Sequence, residues 1–172
     1  LFTDFRERRP ATTASVVGGL GPPSPALRIA SDGLADLYRQ LGDDPALELR
    51  VTQWQRYLAL VYGDEAGDQT LFLKHTYLAT VARLVAYLRL GFSPMPSDKD
   101  LEDILRGEFF EERAGLANFV EEDFFTWPFL DPVRQDGLAL VRRLLNTLSS
   151  YDFSQVSEDV LKELYQGLVD PE

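Results

Sequence analysis

Apolar residues recur along most of this chain at the three- and four-residue spacing of a helix, and no run alternates in the period of a strand. Leu34, Leu37, Tyr38 and Leu41 share one side of a helical turn, with Ser31 or Asp32 as N-cap and Gly42 as the stop. Pro45 fits a first helical turn, and Leu47, Val51, Trp54, Leu58 and Val61 carry a second stripe to Tyr62-Gly63. After a polar turn from Gly63 to Gly67, Asp68 caps a third helix that reaches about Gly91. Leu71, His75, Leu78, Ala82, Val85 and Arg89 lie on one side of it, with Phe72, Ala79 and Ala86 beside them.

Two prolines in Phe92-Ser93-Pro94-Met95-Pro96 break the pattern. Ser97 with Asp100 resembles a capping box and opens a helix through Leu101, Ile104 and Leu105 to Gly107. From Phe109 to Trp127 neither period holds for long. A strong helix resumes beyond Pro132 with Leu138, Val141, Leu144, Leu145 and Leu148, and Ser154 or Ser157 can cap a last one through Val160, Leu161, Leu164, Tyr165 and Leu168. The first thirty residues differ: Thr12 to Pro25 is rich in Gly, Pro, Ser and Thr, which predicts a linker. The expected architecture is all-α, an irregular multi-helix bundle over residues 31–172 behind a flexible Gly/Pro-rich segment at 1–30.

Composition narrows the chemistry. The 172 residues contain no Cys and one His, which removes disulfides, thiolate nucleophiles and His-rich metal ligation. The formal net charge of −11 works against a phosphate-gripping surface, and Arg83, Arg89, Arg142 and Arg143 are too scattered to make a basic patch. No apolar run is long enough for a bilayer and no signal-peptide pattern is present, so the expectation is a cytoplasmic protein with no membrane partner. Gly18-Gly19-Leu20-Gly21 lies in a Pro-rich stretch with no supporting strand, so it is no phosphate loop. His75 falls mid-helix without a nucleophile elbow, which favours a half-buried, hydrogen-bonded role over that of a catalytic base. Glu111, Glu112, Glu121, Glu122 and Asp123 lack the spacing and turn glycine of a divalent-ion site. Seven large rings between Phe109 and Phe129 are interleaved with acids, a poor environment for stacking nucleic-acid bases and a good one for plugging a junction between helices or domains.

Three stretches carry a resemblance: Leu71 to Leu84 with His75-Thr76-Tyr77-Leu78-Ala79, Gly115 to Trp127 with Asn118-Phe119-Val120-Glu121 and Asp123-Phe124-Phe125-Thr126-Trp127, and Leu161 to Glu172 with Leu164-Tyr165. Together, over roughly residues 47 to 172, the chain resembles the helical region upstream of the catalytic domain in adenine-N6 DNA methyltransferases of restriction-modification systems, in particular the type I-like and type IIG fused enzymes. In that family the last stretch runs into an Arg-x-x-x-Gly-x-Phe/Tyr-Tyr-Thr-Pro motif that helps bind S-adenosylmethionine. That motif, the Phe-x-Gly-x-Gly cofactor motif and the catalytic Asn-Pro-Pro-Tyr/Phe motif are not in these residues. A start at Leu1-Phe2-Thr3, a lone Met95 and an end at Asp170-Pro171-Glu172 read as an excised piece.

The resemblance implies a non-catalytic coupling domain with no catalytic, cofactor or metal residue of its own. It implies neighbouring domains of the same chain as partners, with S-adenosylmethionine and DNA as ligands of the parent enzyme and weak or no DNA binding by these residues. His75, Tyr77, Asn118, Phe124, Phe125, Trp127 and Tyr165 are the candidate structural and interdomain residues. The alternative is a stand-alone helical protein-interaction module unrelated to DNA.

Overall fold

The computed structural model describes residues 8–22, 24–63, 67–115 and 124–154, together with Lys162, Glu163 and Gln166. Among these, seven α-helices and one two-stranded parallel bridge appear: β1 (Arg9–Pro10), α1 (Thr13–Leu20), α2 (Pro25–Leu41), α3 (Pro45–Tyr62), α4 (Gln69–Arg89), α5 (Asp98–Arg106), α6 (Glu108–Ala114), α7 (Arg134–Leu148) and β2 (Tyr151–Asp152). A 3-10 turn, Trp127–Phe129, precedes α7. The all-α architecture is therefore the observed one.

Side-chain caps start most of these helices, each satisfying backbone N–H groups that a first turn leaves open. Ser24, Asp44, Asp68 and Ser97 accept from Leu27, Ala46 and Leu47, Leu71, and Asp100 respectively. Proline at the first position of α2 and α3 costs nothing, since its missing N–H would have had no helical partner.

α4 is the central element. Every residue from Leu71 to Leu88 is buried or half-buried, so both the side holding Leu71, His75 and Leu78 and the side holding Phe72, Thr76, Val81 and Leu84 are covered. α2, α5 and α7 pack on it, and α2 packs on α7. Ion pairs stitch α5 to α7 at the rim. Arg134 pairs with Glu102. Arg142 bonds Asp98 at 2.6 Å and the Pro96 carbonyl at 3.0 Å.

Several elements depart from the sequence expectations, each for a visible reason. Within the segment expected as linker, Thr13–Leu20 is helical, capped by Thr12, with Val16 and Leu20 fully buried. Two such side chains withdraw enough apolar surface to contribute about 1.5–3 kcal/mol each. Gly19 serves packing there: a Cβ at this position would lie 1.9 Å from the Tyr151 hydroxyl. The β1–β2 bridge, Arg9 beside Tyr151 and Pro10 beside Asp152, fastens the start of this segment to the chain leaving α7.

α2 begins at Pro25 and runs through Ser31 and Asp32, where the N-cap had been expected. The helix crosses α7 at Gly33, whose missing side chain admits Leu140. A short helix, α6, interrupts the stretch read as irregular. Val61, placed on the buried stripe of α3 by its spacing, is instead 52% exposed, while Leu47, Trp54 and Leu58 are buried. Of the last predicted helix, Lys162, Glu163 and Gln166 are helical, and the rest lies outside the described residues.

Candidate functional site: an aromatic junction around His75 and Trp127

α4 places Phe72, His75 and Thr76 on adjoining turns, because positions three and four apart share a helix face. α3 brings Trp54 to this face, and Gly67 lets the indole lie flat by offering no Cβ to its outer edge; Gln55 Nε2 donates to the Gly67 carbonyl at 2.8 Å and fixes that approach. The residues before α7 supply Phe124, Phe125 and Trp127, and α2 supplies Tyr38.

Two hydrogen bonds organise these rings. Trp127 Nε1 donates to Thr76 Oγ1 at 2.9 Å, and that hydroxyl donates to the Phe72 carbonyl at 2.9 Å. Both groups of Thr76 are thereby used, in a position of zero exposure where an unpaired hydroxyl would be costly. Trp54 Nε1 donates to His75 Nδ1 at 3.2 Å. Because Nδ1 accepts, a neutral His75 carries its proton on Nε2. Burial lowers its pKa from the ordinary 6.5 and keeps the ring neutral at pH 7.

Ring geometry is consistent with packing by quadrupole and area. Trp54 meets His75 edge-on with centroids 5.6 Å apart at 90°, and Phe72 at 5.1 Å and 59°. Trp127 stacks on Phe72 at 6.2 Å and 28° and stands edge-on to Tyr38 at 5.8 Å and 83°. Phe125 lies against both Phe72 and His75.

This arrangement does not assemble a nucleophile with a base. The Thr76 proton goes to a backbone carbonyl, and the basic nitrogen of His75 already accepts from an indole. What it does is lock α3, α4 and the pre-α7 segment in one register.

Of the candidate residues, the structure brings His75, Phe124, Phe125 and Trp127 together. Tyr77 is elsewhere: one residue past Thr76 its side chain turns toward α1, where its hydroxyl donates to the Leu20 carbonyl at 2.7 Å. Burial, reinforced by nearby Tyr151, raises the Tyr77 phenol well above its ordinary value. Asn118 and Tyr165 lie outside the described residues. Trp54, Phe72, Thr76 and Tyr38 complete the junction without having been singled out. The general signal was that a buried indole N–H needs an acceptor, but which residues supply it only the fold shows.

A second aromatic group, Tyr87, Phe92 and Phe109, closes the other end of α4, with the Tyr87 hydroxyl donating to the Ser93 carbonyl at 2.5 Å and Arg113 over the Phe109 ring. Among the described residues, no three His, Asp or Glu side chains gather in a metal-holding group, and no helix is long and apolar enough to cross a membrane. Comparison with protein-family models, with curated proteins and with solved structures finds no match for this chain.

Proposed function

We propose that this chain is a non-catalytic helical coupling domain of a larger adenine-specific DNA methyltransferase or restriction-modification enzyme, seated between an N-terminal module and the domain that binds S-adenosylmethionine. The reading rests on the resemblance of residues 47 to 172, and one observation supports it. Two of the three stretches that carry the resemblance touch, buried Trp127 bonding to buried Thr76 and half-buried Phe125 packing on half-buried His75. Residues held this way maintain a rigid body that can transmit position between its neighbours, which is the task of a coupler. Cofactor and DNA belong, in this reading, to the parent enzyme.

The test is calorimetric titration of the 172-residue chain with S-adenosylmethionine and, separately, with duplex DNA at low salt. Neither titration is expected to give saturable heat. A micromolar cofactor site on this chain would overturn the proposal. A duplex affinity that falls steeply with salt would assign DNA reading to the domain itself.

A further inference from the structure

Among the described helices, α3 buries the smallest share of itself. Of its 18 residues Leu47, Trp54 and Leu58 are buried, against eight of the 21 in α4 and seven of the 15 in α7. α2, α4, α5 and α7 pack on one another helix against helix, whereas the broadest packing of α3 is on the 3-10 turn Trp127–Phe129. Leu49, Tyr57, Leu60 and Val61 have half or more of their surface in water already, so they add little to holding the helix closed. Each end of α3 meets an exposed glycine of positive φ, Gly42 at 53° and Gly63 at 91°. Outside the local turn, no atom lies nearer than 3.9 Å to the place of a Cβ at either, so both ends turn in open space.

The two hydrogen bonds of the aromatic junction differ in the same sense. Trp127 Nε1 reaches Thr76 Oγ1 at 2.9 Å with both residues buried. Trp54 Nε1 reaches His75 Nδ1 at 3.2 Å, and the imidazole is half-buried, as is Phe125 beside it. A bond that water can approach is exchanged for water at smaller cost, so the junction parts more easily at Trp54 than at Trp127.

We propose that α3 opens from the body as a unit, with Trp54 on His75 as its latch, while α2, α4 and α7 stay packed through Trp127 and Thr76. Cooperative units of this kind open at lower free energy than the whole domain. Opening lifts Trp54 off Gly67, breaks the Gln55 bond to the Gly67 carbonyl, and uncovers the Phe72 and His75 rings on the body. The molecule then has one part that moves against another that does not. The proposal stands independently of the methyltransferase reading.

Native-state hydrogen exchange of the 172-residue chain in low urea tests it, comparing α3 amides from Val51 to Leu58 with those of α4 and α7 around Leu84 and Leu145. α3 should exchange faster and with a weaker dependence on urea, because its opening exposes less surface than global unfolding. Two variants separate local from global opening. Thr76→Val weakens the closed and the α3-open states alike, so exchange in α4 and α7 should speed by about tenfold while exchange in α3 stays unchanged. Trp54→Phe keeps a ring but removes the donor to His75, a bond made only in the closed state, so exchange in α3 should itself speed by about tenfold. Equal protection and urea dependence in α3, α4 and α7 would overturn the proposal. So would a Thr76→Val chain in which α3 speeds as much as α7, or a Trp54→Phe chain in which α3 keeps its wild-type rate.

Discussion

At the scale of single residues, the aromatic junction makes its parts unequal. Trp127→Ala removes a fully buried indole and should cost about 3–5 kcal/mol, read from the shift of the urea midpoint. Thr76→Val keeps the shape but leaves the Trp127 N–H buried without its acceptor, so a loss of about 1–3 kcal/mol is expected by the same measurement. A near-neutral Trp127→Ala would mean that the indole is exposed and waits for another surface. His75 adds a dependence on pH. Its folded-state pKa lies below the 6.5 of the unfolded chain, so between those two values the unfolded state binds the extra proton. The stability that neutral His75 contributes is complete above about pH 6.5 and declines as the pH falls through the window beneath it. Urea midpoints at a series of pH values should show this decline, and His75→Gln, which keeps an acceptor for Trp54 but does not titrate, should flatten it. An unchanged slope in that variant would remove His75 from the account.

Elements show where the sequence was legible and where it was not. The existence and termini of α3, α4 and α5 could be read from apolar spacing, Ser and Asp caps and proline at a first turn, and the existence of α7 from its apolar spacing, because those signals are local. α1 could not, since its glycines and threonines read as loop, and what makes the helix worthwhile is distant: Tyr77 bonds the Leu20 carbonyl, and Tyr151 occupies the space beside Gly19. The same cause hid the true start of α2, where Ser31 or Asp32 reads as an N-cap, while the packing of Leu140 beside Gly33 that goes with the longer helix comes from a distant part of the chain. Val61 was misplaced because a stripe spanning most of a helix does not say which part faces its own core. In the junction, His75 and Trp127 could be picked out by residue type, whereas Trp54, Phe72 and Thr76 needed the fold to bring α3 and the pre-α7 segment onto α4. Gly19→Ala tests the packing explanation: it should destabilise the chain, and Tyr151→Phe should recover part of the loss, giving a non-zero coupling energy in a double-mutant cycle. Additive effects would contradict it.

For the whole molecule, residues 8–22 ahead of α2 are part of the folded body, tied by the β1–β2 bridge and by Val16 and Leu20. Removing residues 1–20 should therefore lower the thermal midpoint sharply or abolish cooperative unfolding, whereas deleting a true linker would leave it unchanged. The functional claim concerns what this body connects. Sequencing the transcript through the codon for Glu172 tests it most directly. The coupling-domain account predicts an uninterrupted reading frame that reaches an Arg-x-x-x-Gly-x-Phe/Tyr-Tyr-Thr-Pro motif and then an Asn-Pro-Pro-Tyr/Phe motif; a stop codon directly after Glu172 would contradict it and leave a stand-alone interaction module.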